Sequence, residues 1–145
     1  MNDSFKASLV AAGRVLLALM FVLSGFSKLT GVQATAGYIA SVGLPAPAAL
    51  AVLSGLLELV AGIALVIGYK THWAAFALGL FTLAASVLFH AYWAAPADQQ
   101  FMQQLLFMKN LAVAGGMFIV AAQGAGALSV DARRSHAASA SPRHA

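Results

Sequence analysis

The chain has 145 residues, of which 61% are hydrophobic and only 8% charged, with a net charge of +4 and no cysteine. A soluble domain carries about 25% charged residues, so this composition excludes a charged soluble surface and points to an integral membrane protein. The lack of cysteine removes thiol–disulfide chemistry and iron–sulfur ligation from the chain's own repertoire, and the small, scattered positive charge forms no nucleic-acid-binding patch.

Four apolar runs reach the roughly 20 residues that a helix needs to cross a bilayer: 9–29, 49–68, 73–95 and 101–123. None alternates with period two, so barrel strands are excluded and the spans are helices. The expected fold class is all-α, a four-helix transmembrane bundle in one domain over residues 1–125. Span one resembles a signal peptide in outline, but Lys28 closes it where a small-residue cleavage site would stand, so it is expected to remain. The uncharged loop 31–48 contains Gly43-Leu44-Pro45-Ala46-Pro47, which stops any helix ahead of span two. Within it, 32–42 is expected to form a short interfacial helix with Tyr38 at headgroup depth. Pro96 marks a plain turn between spans three and four. The tail 126–145 is small, basic and poor in apolar residues, and is expected to be disordered. Lys6, Lys70, Arg133, Arg134 and Arg143 all fall on one side of the alternating topology, so both termini are expected in the cytoplasm.

Four ionisable residues lie well within the spans: Arg14, Glu58, His90 and Lys109, with Asn110 beside the last. A charge at a helix centre costs about 3 kcal/mol on insertion scales, against about 0.3 to 0.6 returned by each Leu, Ile, Val or Phe. Such groups face the bundle interior and pair with one another. Helix rise places Glu58 mid-span, with Arg14 about 7 Å toward the cytoplasmic side and Lys109 about 4 to 5 Å outward. Glu58 is therefore expected to meet Arg14, Lys109 or both. The faces agree. Arg14, Ala18, Phe21, Gly25 and Lys28 form one stripe, Gly55, Glu58 and Gly62 a second, and Gly79, Thr82, Ser86, His90 and Trp93 a third. Small and polar stripes of this kind let membrane helices approach and bond. Lys28 is expected to snorkel to the headgroups, and His90 to sit as an interface histidine beside Trp93. His72, His136 and His144 fall in loops or the tail. With one histidine inside a span and no Glu-x-x-His spacing, no metal or haem site is expected.

These residues resemble the DoxX family of small bacterial membrane proteins. The likeness rests on Arg14 early in span one, Gly25-Phe26-Ser27-Lys28-Leu29 closing it, Gly43-Leu44-Pro45 before span two, Glu58-Leu59-Val60-Ala61-Gly62 within it, and Lys109-Asn110-Leu111 in span four. It covers roughly residues 10–125. The resemblance implies a four-helix bundle in the bacterial inner membrane and a link to redox metabolism: quinone-coupled thiosulfate oxidation, oxidative-stress complexes and neighbouring oxidoreductases. Without cysteines or a metal site, a redox role requires a bound quinone or an oxidoreductase partner. The leading reading is thus a quinone-associated membrane subunit, not an enzyme on its own, in which Glu58 relays a proton, Arg14 and Lys109 hold its charge, and His90 and Asn110 bond a polar head. A small proton-coupled carrier and a scaffold locked by its polar cluster are the alternatives. The partners in view are the lipid bilayer, an oxidoreductase and a second copy of the chain.

Overall fold

The computed structural model describes residues 2–140. It is all-helical, with no strand among the described residues. Four helices are long and apolar enough to cross a membrane: α1 (Asp3–Thr30), α3 (Pro47–Ile67), α4 (Thr71–Phe89) and α5 (Ala97–Gln123), with a short α2 (Val32–Ser41) between the first two and α6 (Val130–Ala140) after the last. A single 3-10 turn, Tyr92–Ala94, follows α4.

Local chemistry sets the boundaries. The Asn2 side chain accepts the Phe5 N–H at 2.9 Å and starts α1. Pro47 opens α3 in its first turn, where a missing N–H costs nothing. Gly68, at φ 71°, closes the same helix in the left-handed conformation, and the Tyr69 N–H returns to the Ala64 carbonyl at 2.8 Å. Two residues later α4 begins, so α3 and α4 form a tight antiparallel hairpin.

The bundle is built from two intimate pairs, α1 with α3 and α4 with α5, while α1 and α5 meet only slightly. The first pair is close because of its glycines. A Cβ on Gly25 would lie 2.5 Å from the Leu59 nitrogen and 2.7 Å from the Gly55 carbonyl oxygen. That backbone approach is the small-residue packing which membrane helices favour. The buried core runs through Ala18, Phe21, Ala61, Leu65, Ala75, Leu78 and Met117. The expected stripes are observed: Arg14, Ala18, Phe21 and Gly25 are buried on α1, Gly55, Glu58 and Gly62 on α3, and Gly79, Thr82 and Ser86 on α4.

Three regions refine the expected picture. The third span runs Thr71–Ala94, close to the expected 73–95, with its α-helix ending at Phe89 and a 3-10 turn completing it. There the chain turns so that Tyr92 and Trp93 pack edge-on against Phe107, each with centroids 5.6 Å from that ring. Tyr38 on α2 is half exposed and stacks on Phe89 at 5.2 Å. The tail expected to be disordered from residue 126 is ordered up to 140. Its low apolar content is offset by Asp131, whose carboxylate accepts the Lys70 and Thr71 N–H groups at 2.9 and 3.0 Å, capping α4 from outside that helix. The Asp131 N–H in turn donates to the Gly68 carbonyl at 2.9 Å. Residues 141–145, including Arg143 and His144, lie outside the described residues.

Candidate functional site

The polar residues of the spans separate into two centres, one on each side of the apolar core. Arg14 belongs to the one at the α3–α4 turn. It is 4% exposed, and its guanidinium donates to the carbonyls of Ala125, of Leu128 at 2.9 Å and, at the 3.4 Å limit, of Val66. These oxygens belong to the end of α3 and the chain just past α5, where helix carbonyls have no partner of their own. A planar guanidinium with five donors suits the task, and a single ammonium would not. Arg14 therefore does not pair with Glu58. Val66 lies eight residues beyond Glu58 on α3, about 12 Å along the helix. Asp131 shares this centre. Burial pushes its carboxyl up, but the Thr71 and Lys70 backbone bonds, with His72 nearby, outweigh that, and the pKa lies below the usual carboxylate value.

The second centre is a cavity of about 320 Å³ between the two helix pairs. Glu58 stands in its wall, and its partner is Lys28. Lys28 Nζ lies 2.8 Å from Glu58 Oε2, with side-chain exposures of 26% and 6%. The Ser24 hydroxyl donates to the same carboxylate oxygen at 3.0 Å. The ammonium also lies 5.3 Å from the centroid of Phe81. Lys28 is thus drawn into the bundle and does not snorkel outward. It sits one turn beyond Ser24 on the α1 stripe, and the Gly25–Gly55 contact brings that stripe to within a salt bridge of α3.

His90, Lys109 and Asn110 line the same cavity, with Phe21, Phe81, Phe89 and Tyr38 as aromatic walls. His90 Nδ1 is 2.9 Å from Gln103 Oε1 on α5, which ties the end of α4 to its neighbour. Lys109 is within the cavity lining but not paired with Glu58. Among the described residues no ion pair or hydrogen bond reaches it. Trp93 is 56% exposed and stays in the Tyr92–Phe107 cluster, away from the cavity.

The structure therefore gathers Glu58, Lys28, His90, Lys109 and Asn110 and leaves Arg14 and Trp93 elsewhere. Sequence reasoning missed Ser24 and Gln103. Ser24 lies one turn before Lys28 on the face of α1 that meets Glu58, a signal available in advance. Gln103 is one of four glutamines near the start of α5, and nothing in their spacing singles it out.

Four apolar helices around a polar cavity define a small multi-pass membrane protein with an internal ligand-sized space. The DoxX family model matches residues 9–91, more than half of the sequence. Inner membrane protein YphA of Escherichia coli K12 is 34% identical over 125 residues, covering 86% of this chain and 89% of that protein. Inner membrane protein YqjF of the same organism is 34% identical over 122 residues, covering 84% and 88%. The ER-derived vesicles protein ERV29 of Saccharomyces cerevisiae is 30% identical over 133 residues, 92% of this chain but 36% of that protein. No solved structure matches. The chain belongs to the DoxX family and is a multi-pass protein of the bacterial inner-membrane type.

Proposed function

We propose that this protein is a quinone-binding membrane subunit of a redox system, that the cavity between α1, α3, α4 and α5 is its binding site, and that both termini face the cytoplasm. The observation that carries the reading is the make-up of the cavity: a ring-sized apolar space, walled by Phe21, Phe81, Phe89 and Tyr38, with ionisable and amide groups from four helices at its edge. Ligand sites of this type combine apolar walls with a few convergent polar groups. Lys109 and Asn110 are the free donors suited to a ring carbonyl, and His90 is held in place by Gln103. A bound quinone supplies a carrier for two electrons and two protons. The chain's part is to orient the ring, to exclude water, and to hold the Glu58 carboxylate, as a candidate proton relay, beside Lys28 at the cavity wall. With no cysteine in the chain, the electrons come from an oxidoreductase partner.

The carrier alternative is disfavoured because Phe21, Leu65, Leu78 and Met117 are packed into one buried apolar core. Orientation is supported by Lys70 and Arg134, which both lie over the Tyr69 ring at the Arg14 end. The test is organic extraction of protein purified from membranes in mild detergent. A quinone near one per chain, and its loss from a folded Phe81→Ala variant, is expected. Wild-type protein that neither retains nor rebinds a quinone overturns the reading.

A further inference from the structure

The cavity contains one carboxylate and three groups able to carry positive charge. The carboxylate is already used: Glu58 is held by Lys28 at 2.8 Å and by Ser24 at 3.0 Å. His90 is engaged with Gln103. That leaves Lys109. It sits near the middle of the 27-residue α5, about 18 Å of helix from its nearer end. The hydrocarbon half-thickness is about 15 Å, so its side chain is too short to carry the ammonium to either headgroup layer. An unpaired lysine at such depth costs about 3 kcal/mol on insertion scales. Intramembrane cations are normally matched by a counter-charge, yet among the described residues none reaches Lys109. It lines the cavity beside the Asn110 carboxamide.

We infer that the missing counter-charge is the ligand's: the cavity takes an amphipathic acid in its ionised form, with the anionic oxygen on Lys109 and Asn110 and the apolar body against Phe81 and Phe89. The inference rests on the reading of this cavity as a ligand site and adds the charge state of what it binds. An ionised phenol or hydroxyquinone, and a fatty carboxylate, share the chemistry.

The full-length protein in nanodiscs of zwitterionic lipid tests it, by titration with 2-hydroxy-1,4-naphthoquinone, an anion at neutral pH, and with 1,4-naphthoquinone, its neutral parent of nearly the same shape. The anion is expected to bind at least about tenfold tighter, a modest part of what a unit charge pair gives at an effective dielectric of about 20. Lys109→Met should abolish that preference, and Lys109→Arg should keep it. Melting curves of both variants confirm folding, and Lys109→Gln replaces the Met variant if that one fails to insert. A wild type that binds both rings equally, a preference that survives in the Met and Gln variants, or binding of neither ring overturns the inference. Binding of the anion without any binding of the neutral ring supports it and instead counts against the quinone reading. Competition by dodecanoate as strong as that of the hydroxyquinone assigns the anion to a fatty acid, which again keeps the charge inference and removes the quinone.

Discussion

The two ends of the Lys28–Glu58 bridge are unequally buried, and this makes their replacement asymmetric. Lys28→Met leaves a carboxylate that is 6% exposed with Ser24 alone for company. Removing one partner of a buried pair costs about 3 to 5 kcal/mol in soluble proteins, and this variant should fall in that range. Glu58→Ala strands an ammonium that is 26% exposed, on a long stem lying two residues from the end of α1. It can swing toward the headgroups, so the loss should be about 1 to 3 kcal/mol, the range for one unsatisfied polar group. The double variant Lys28→Met/Glu58→Leu removes both charges and should recover most of the deficit, giving a coupling of about 2 kcal/mol or more. Reversible unfolding in mixed micelles, followed by circular dichroism, measures all three. Additive losses to within about 0.5 kcal/mol, or Glu58→Ala as the more damaging single change, would refute the assigned pair.

Gly25→Ala should force α1 and α3 apart, since its Cβ would meet backbone at 2.5 Å; a loss of about 1 to 3 kcal/mol is expected, together with weaker ligand binding in the adjoining cavity. Arg14→Leu should leave the Ala125 and Leu128 carbonyls without their donor, cost about 1 to 3 kcal/mol for each, and open residues 125–131 to protease; Arg14→Lys should protect that segment only partly. Asp131→Ala should cost about 1 kcal/mol at neutral pH, as helix caps do. Because the Asp131 pKa is lowered by folding, its contribution is full above the unfolded carboxylate value of about 3.9 and fades as pH falls through the lower folded value; wild type and Asp131→Ala should therefore converge in stability below about pH 4, and a gap that stays constant into acid would contradict the cap.

The spans were legible because hydropathy and helical period act locally. Arg14, Ala18, Phe21 and Gly25 repeat at the spacing of one helix face, and that face is buried. The partner of Glu58 was not legible, since pairing depends on how deeply one helix slides past another. Depth counted along isolated spans put Arg14 and Lys109 in reach. The Gly25–Gly55 contact fixes a register in which Lys28 arrives first, and its place near the end of span one had suggested headgroups. The Arg14 site was hidden for a different reason. Its acceptors are backbone carbonyls in a segment of unremarkable composition, and carbonyls carry no sequence signature. The ordered tail escaped notice similarly: one aspartate holds it to another helix's N-terminus, a contact invisible to composition.

Arg14 also imposes an order on biosynthesis. Its acceptors Ala125 and Leu128 follow it by 111 and 114 residues, so this guanidinium enters the bilayer with the first span and meets those carbonyls only after the fourth has been made. Until then the first helix carries an unmatched charge, and the hairpin of α3 and α4 lacks the Asp131 clasp. An intermediate with all four spans inserted but residues 125–131 not yet docked should remain open at its Arg14 end and sensitive to membrane quality-control proteases. Emergence of residues 125–131 would then close the bundle, making this segment a checkpoint for insertion of the last span.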